Sequence, residues 1–567
     1  MNERNLARQP ELAGPAPIPI DRIVIGKDVL ELVSSAMYVD PLTIYREYVQ
    51  NAADSIDEAQ AARLLQKGEK GQVRIEIDSQ HRRVRIQDNG TGLRWADFGR
   101  RLTALGASAK RGGTARGFRG VGRLAGLAYA QCLTFRSRVR GEDLVSELAW
   151  DCRLLRSALR SIEMDASVED LIRSAVTLSR IPGEGFPSRF FEVELDGIVR
   201  LRSDKLMSPT AIGEYLGQVA PVPFAPDFPF AEHIRKALEP RVKLDTLELH
   251  ISGLKEVIYR PHRRGFSDEK RKGTFQDVEV FTIPDVDGGH AATGWLLHHE
   301  YDGAVPIGMG FKGLRFRVGN VQIGGNALLE ELFTEPRFNS WSIGEVHILD
   351  RRIVPNARRD DFEQNAHYSN LLNQLSPIAR AVSKRCRTSS KRRQLLRDFE
   401  LQEQGIKERL KILAQGGIRR EARKAQTTHM GNALNRMTRL ANAQELEGEK
   451  EKLLSRVAKH QEQVRAASGA VPNSPLDLLA PHKRAMYGQM IELIYDCSTN
   501  RVAAKALVDR ILEKIAVTVD GVPQRSKKTR PGKGKKFASA SPGQARTRKQ
   551  QRLPPVAPGR SRPMSKR

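Results

Sequence analysis

The stretch that decides the reading is EYVQNAADSIDEA, Glu47 to Ala59. Its spacing predicts a helix, and at 3.6 residues per turn Glu47, Asn51 and Asp54 share one stripe, with Ala52 and Ala53 beside them. A carboxylate, an amide and a second carboxylate on one face are either a solvated surface or a set of ligands. Upstream, VLELVSSAMYV also reads as helix. Downstream, VRIEID (Val73 to Asp78) and RVRIQD (Arg83 to Asp88) alternate like a hairpin around SQHR, and RFFEVELDGIVR (Arg189 to Arg200) is a further strand candidate. Residues 20–205 therefore predict an α+β layer in which helices cover one face of a sheet.

Two glycine-bearing stretches follow. IQDNGTGL, Ile86 to Leu93, leaves a strand and carries DxGxG: Asp88 is a hydrogen-bond acceptor at the strand end, and Gly90 and Gly92 let backbone approach a ligand closely. The same residues are also a favoured turn sequence. ARGFRGVGRLAGLAYA, Ala115 to Ala130, places Gly117, Gly120 and Gly122 as GxxGxG before an apolar run. Backbone N–H groups of such a loop, with a helix N-terminus behind them, suit phosphate oxygens, although close packing uses glycine in the same way. This loop has neither the GxGxxG order nor GxxxxGK[ST].

In this order and these settings the three stretches resemble the motifs of the GHKL superfamily of ATPases, which includes DNA gyrase B, the heat-shock-protein-90 chaperones, histidine kinases, MutL and the MORC proteins. The resemblance implies the Bergerat two-layer α/β sandwich, with ATP and Mg²⁺ as ligands. By that resemblance Glu47 is the general base for the attacking water, and Asn51, one turn on, offers its amide oxygen to Mg²⁺. Asp88 accepts the adenine amino group, and Gly90 and Gly92 shape the base pocket. Gly117, Gly120, Val121 and Gly122 form a lid over the phosphates. Asp54 lines the same stripe and orients its neighbours. Ser108 and Lys110 precede the lid, where Lys110 either meets a phosphate or is an exposed lysine. The family's usual GT is not found near Ser188, so its fourth motif is not assigned.

At 567 residues the chain is too long for one core. Its net charge of +27 and pI near 10.1 ask for a polyanionic partner, but the excess is uneven. From Gly521 onward there are about fifteen Lys and Arg and no Asp or Glu. Cys132, Cys152, Cys386 and Cys497 are scattered without zinc or disulfide spacing and fit a reducing cytoplasm. The N-terminal MNERNLARQPELAGPAPIPI lacks an apolar signal core, and stretches such as LAGLAYAQCLTF fall short of the roughly 20 residues a membrane crossing needs. The expectation is a cytoplasmic protein without a membrane span.

Residues 206–375 hold further strand candidates, LDTLELHISG, DVEVFTI, TGWLLHHEY, GLRFRVGNVQIGG and GEVHILDRRIV, between Gly- and Pro-bearing turns. They predict a second, S5-like α/β middle domain. Residues 376–470 are rich in Arg, Lys, Glu, Gln and Leu and predict long helices, with coiled-coil character, broken at QGG (415–417). Residues 471–519 predict a small helical segment. Residues 1–19 and the basic tail 520–567 have the composition of flexible chain.

Within the superfamily, a histidine kinase would carry a phosphoacceptor His on a helix ahead of the ATP domain. Here the His299–Glu300 pair lies downstream in a strand-like segment. RRIVPNARRDDFEQN, Arg351 to Asn365, instead resembles the end of the heat-shock-protein-90 middle domain. Asn356, Arg359 and Gln364 match its pattern, Asp360 and Phe362 are similar in kind, and Arg358 replaces a Ser. The resemblance implies that Arg359 reaches back across the domain junction to the γ-phosphate; any one arginine of a basic chain is otherwise a surface residue. It also implies a slow ATPase acting as a homodimeric, ATP-gated clamp, chaperone-like toward a protein client. The basic C-terminal region supports an alternative, a nucleic-acid-associated ATPase in the manner of MutL or MORC. No helix-turn-helix or zinc finger supports sequence-specific readout.

Overall fold

A computed structural model of the protein describes residues 40–104, 122–160, 167–244, 247–267, 272–415, 417, 420–469 and 474–520. By contact clustering it divides into two compact units, residues 1–407 with 430–462, and 408–429 with 463–567.

Among the described residues, the first helix of the first unit is α1, Thr43–Ala61, which carries the stretch quoted above. It is buried nearly all round: Ile44, Tyr45, Val49, Ala53 and Ile56 are inaccessible, and Glu47 and Asp54 are only 4% and 3% exposed. The polar stripe is therefore not a solvated face. α1 lies on a sheet whose strands are β1 (Gln72–Asp78), β2 (Arg83–Asp88), β3 (Cys132–Arg138), β4 (Leu144–Asp151), β5 (Val176–Pro182), β6 (Phe190–Asp196) and β7 (Glu248–Ile251). Their order is β5-β4-β3-β6-β2-β1-β7, antiparallel throughout except for β1 with β7. Helices α2 (Trp95–Thr103), α3 (Cys152–Arg160), α4 (Val168–Ala175) and α5 (Pro209–Val219) complete the layer.

The period-2 pattern sorts the two faces. Val73, Ile75, Val84, Ile86, Val193 and Leu195 point into the core under α1. The opposite face carries a charge lattice that runs from Glu76 through Arg85 to Glu194, and from Glu192 through Arg136 to Glu147, at 2.7 to 3.1 Å. Cross-strand pairs of opposite charge stabilise a sheet.

The sequence-based division at residue 205 runs through this layer. LDTLELHISG reads as a strand of the second region, but it pairs parallel with β1 at the edge of the first sheet, and Ile212, Leu216 and Leu249 sit in the first core. Alternation identifies a strand without saying which edge receives it.

Helix α6 (Ala231–Leu238) leads to the short hairpin β8 (Gly265–Ser267) and β9 (Lys272–Thr274). A second sheet follows, formed by β10 (Asp277–Pro284), β11 (His290–His298), β12 (Gly313–Val318), β13 (Val321–Ile323) and β14 (Ile343–Ile348), in the order β10-β11-β14-β12-β13. β11 and β14 are buried on both faces. Leu296, Phe316 and Val346 pack toward Tyr368, Leu371 and Leu375 of helix α7 (Ala366–Ala414), and Trp295, Leu297 and Ile343 pack toward Ile234 and Leu238 of α6.

The second sheet is fastened to the first layer by a buried ion cluster. Arg317 of β12 donates to Glu345 of β14 at 2.5 Å, to the carbonyl of Gln218 at 2.6 Å and to that of Ala220 at 3.4 Å. Arg260 donates to Glu345, to Asn320 and, at 3.0 Å, to the carbonyl of Val222. Arg260 and Arg317 are each 1% exposed. Burial raises the Glu345 carboxyl, but Arg260 and Arg317 outweigh that and hold it well below the usual carboxylate range. The carbonyls so gripped lie at and just past the C-terminus of α5, which packs on α1.

Helices α8 (Arg420–Ala441) and α9 (Lys450–Gly469) follow α7, which ends at Ala414. Glu403 of α7 meets Arg456 at 2.8 Å and His460 at 3.0 Å on α9. In the second unit, α10 (Pro481–Cys497) and α11 (Arg501–Asp520) close a small core with Ile412, Leu476, Ile491, Val508 and Leu512.

Candidate functional site

The site assembles around Glu47. At the next position of α1, Tyr48 Oη donates to the carbonyl of Arg123 at 3.2 Å and accepts from Gly126 N at 2.9 Å. Both belong to a 3₁₀ turn, Gly122–Ala128, which is thereby seated on α1. This brings Gly122 directly against the carboxylate: a Cβ built there would stand 2.2 Å from Glu47 Oε2. Only glycine leaves that oxygen in place.

Two guanidiniums flank the same carboxylate. Arg46 Nη2 lies 3.5 Å from Glu47 Oε1, and Arg359 Nη2 lies 3.5 Å from Glu47 Oε2. At that separation they are ion pairs longer than a normal hydrogen bond, so both carboxylate oxygens retain lone-pair directions for a small donor such as water. Arg359 comes from the second sheet's end of the molecule. It sits in a tight loop with φ of +59°, a left-handed conformation that costs a non-glycine residue on the order of 1–2 kcal/mol. The surrounding bonds enforce it: Arg359 N donates to the carbonyl of Asn356 at 3.2 Å, Asn356 N to that of Asp361 at 2.9 Å, and Gly324 N to that of Arg359 at 2.9 Å. Pro355 bridges to Phe362, whose ring packs on Phe316 and Tyr368. The neighbouring Arg358 is exposed, and its carbonyl accepts from Arg46 Nη2 at 3.4 Å. Its backbone, not its side chain, faces α1, which explains why Arg can stand where the resembling pattern has Ser.

The other end of the site is the turn after β2. Asp88 is 5% exposed, and its Oδ1 accepts from Gly90 N at 2.8 Å. Gly90 lies over α1, where a Cβ would stand 2.1 Å from Ser55 Oγ, and Thr91 N donates to that hydroxyl at 3.0 Å. Gly92 has φ of +70°, and its Cβ would fall 2.5 Å from the carbonyl of Arg138. DNGTG is thus both a tight turn and a wall of the site. Ser55 is eight residues beyond Glu47, so the two ends lie about 12 Å apart along α1. That span suits an elongated ligand.

Residues 44–171 match the family model described as histidine kinase-, DNA gyrase B-, and HSP90-like ATPase. That match supports the GHKL superfamily. It supports ATP binding in general terms. No curated protein sequence matches the chain.

The stretch matched to the GHKL ATPases contains Glu47, Asn51, Asp54, Asp88, Gly90, Gly92 and Gly122, but neither Arg359 nor anything of the second sheet. Of the residues expected from sequence, Glu47, Gly122 and Arg359 meet; Asp88, Gly90 and Gly92 gather near Ser55; Asn51 lies between, partly exposed on α1. Asp54 is buried. Ser108, Lys110, Gly117, Gly120 and Val121 lie outside the described residues.

For Mg²⁺ the donor set decides the fit. Among the described residues no group of three His, Cys, Asp or Glu side chains could hold a metal ion. Asn51, on α1 between the two ends of the site, offers one hard, neutral amide oxygen, which fits Mg²⁺ only if phosphate oxygens and water complete its octahedron.

Sequence reading missed two residues. Arg46 carries no signal, because a charged residue beside a motif is ordinary. Arg189 stands one place past Ser188, where the fourth motif was sought; its guanidinium donates to the carbonyls of Asn89 and Gly90 at 2.6 and 2.7 Å. A search for GT passes over an arginine, although its position at the head of a strand was visible.

Proposed function

We propose that this chain binds Mg-ATP and hydrolyses it slowly to ADP and phosphate. The observation that carries the reading is the meeting of Arg359 with Glu47, two residues 312 positions apart, of which the resemblance gives one to the γ-phosphate and the other to the attacking water. In this reading Glu47 takes the proton of the attacking water as general base. Gly122 leaves room for that water and the terminal phosphate beside the carboxylate. Arg359 neutralises charge that develops on the transferring phosphoryl group. Asn51 holds Mg²⁺, which when bound shields charge on the phosphate oxygens. Asp88 accepts from the adenine amino group, with Gly90 and Gly92 keeping the turn close; Asp54 orients the polar stripe; Lys110, Gly117, Gly120 and Val121 complete the phosphate loop.

Because Glu47 lies on the helix that covers the first sheet and Arg359 in a loop beside the second, occupancy of the site bears on the junction between the two layers, the basis for an ATP-gated clamp. We read that clamp as a homodimer with chaperone-like action on a protein client. A specific observation favours a second reading: the roughly fifteen Lys and Arg beyond residue 520, with no acidic residue, could neutralise nucleic-acid phosphates.

The test is steady-state ATP hydrolysis by full-length protein, Glu47→Ala and a truncation ending at Val519, with and without DNA across a salt series. Glu47→Ala is expected to bind ATP and lose turnover; normal turnover by that variant sinks the reading. DNA stimulation that persists without the tail favours the nucleic-acid clamp. Suppression of client aggregation without DNA stimulation favours the chaperone.

A further inference from the structure

Arg189 does more than close a turn. Its side chain is 9% exposed at the head of β6, and its contacts lie about a hundred residues back along the chain. Nη1 donates to the carbonyls of both Asn89 and Gly90, and Nη2 lies 3.3 Å from Glu69 Oε1. Glu69 Oε1 accepts also from Asn89 Nδ2 at 3.1 Å, and Asn89 Oδ1 accepts from Gln72 N at 2.7 Å. Gly90, one of the two residues gripped, is the one whose N–H fixes Asp88 Oδ1.

A DNG turn closes with its own residues. Drawing a long side chain over to the end of the neighbouring strand to cap two neutral carbonyls costs rotamer freedom that a turn alone does not require. What the arrangement adds is stiffness at one point: the direction in which the Asp88 carboxylate faces. A carboxylate accepts from an exocyclic amino group and repels a carbonyl oxygen in the same place. A donor-selective site of this kind discriminates only as sharply as its acceptor is held.

We propose that Arg189 is a positioning residue that sets purine selectivity, holding Asp88 so that a 6-amino purine nucleotide is accepted and a 6-oxo purine nucleotide is refused. The inference rests on the ATP-binding reading and on Asp88 as the base acceptor. Arg189 acts at the base end of the site, some 12 Å along α1 from Glu47, so its effect falls on affinity and base preference more than on turnover.

The experiment is equilibrium titration of full-length wild type, Arg189→Met and Arg189→Lys with ATP, ADP and GTP, alongside KM and kcat for ATP. Arg189→Met keeps the apolar stem and removes both donors. The Kd of ATP and of ADP is expected to rise about tenfold each, equivalent to about 1.4 kcal/mol. The Kd of GTP should change less than threefold, narrowing the preference, while KM rises and kcat falls less than threefold. Arg189→Lys, which can keep one donor, should recover part of the preference. Parallel weakening of all three nucleotides points to general loosening of the fold and overturns the proposal, as does an unchanged preference. If Arg189→Met does not fold, Glu69→Gln serves: it removes the charge that orients Arg189 but leaves both carbonyl contacts, and should shift the ATP-to-GTP ratio the same way by a smaller factor; an unchanged ratio overturns the proposal. Wild-type protein that binds no nucleotide overturns the underlying reading, an outcome distinct from failure of Arg189.

Discussion

Replacing Gly122 with alanine is the most discriminating perturbation of this site. Gly122 is not among the glycines with positive φ, so alanine meets no backbone penalty, and Gly→Ala at a compatible position stabilises by about 0.4–1 kcal/mol. The added Cβ, however, would stand 2.2 Å from Glu47 Oε2 and 3.2 Å from its carboxyl carbon. An ordinary carbon–oxygen contact needs roughly 1 Å more than the first of these, so the end of the Glu47 side chain must move by about that much while its Cβ, 3.5 Å away, need not. The fold accommodates the change; the carboxylate does not stay where it was. A misplacement of about 1 Å in a reacting group can cost on the order of 10²-fold in rate. Gly122→Ala is therefore expected to lose about two orders of magnitude in kcat, with a melting temperature at or above that of wild type and ATP affinity within about threefold, since the base end of the site is untouched. The assays are steady-state ATP turnover, nucleotide titration and a thermal melt on the same preparations. Turnover within twofold of wild type, from a protein of unchanged stability, would refute the assignment of Glu47 as the group that activates water.

Three further outcomes follow from the same geometry. Arg359→Ala should lower kcat by about 10²-fold or more with little change in ATP affinity, as expected for a guanidinium whose contact strengthens in the transition state; an equal loss in affinity and kcat would place it in ground-state binding. Glu345→Ala leaves Arg260 and Arg317 buried without their counter-charge and should destabilise by about 3–5 kcal/mol, read as a marked fall in melting temperature, with Arg317→Met alone showing whether the carbonyl grips on Gln218 and Ala220 matter separately. Glu403 gives the pH dependence: the hydrogen bond from Arg456 above all, with Lys407 and His460, lowers its carboxyl to about 2 from an ordinary value of 4.5. A depressed folded-state pKa contributes stability that is complete above about 4.5 and is lost as pH falls toward about 2. Circular dichroism at 222 nm should show helix stability declining over that window, and Glu403→Gln should be less stable at pH 7 with a flatter acid limb.

Much of the site was legible locally. EYVQNAADSIDEA states its helix and its polar stripe within thirteen residues, DNGTG states a turn at a strand end, and GFRGVGR states a close approach of backbone, because helical period, turn chemistry and the absence of a Cβ are properties of a few consecutive residues. NARRD was legible through resemblance to a pattern that sends Arg359 to the γ-phosphate; its contact with Glu47, 312 positions away, is read from the structure. The placement of LELHI at the edge of the first sheet was not legible, since period-2 alternation is the same in either sheet. Arg189 was missed for a related reason: an arginine before a strand looks alike whether it faces water or caps two carbonyls a hundred residues away.

What the sequence determined by itself, then, is the set of chemical groups and the local shapes that carry them. Only the tertiary structure decided which glycine stands against Glu47, that two arginines flank its carboxylate, and that Glu345 is wedged between Arg260 and Arg317 to fasten one sheet to the other. The physical reason is range. Propensity and periodicity act over one or two turns of chain, whereas an ion pair or a 2.2 Å exclusion is set by the packing of whole layers, and depends on every residue that determines how closely those layers meet.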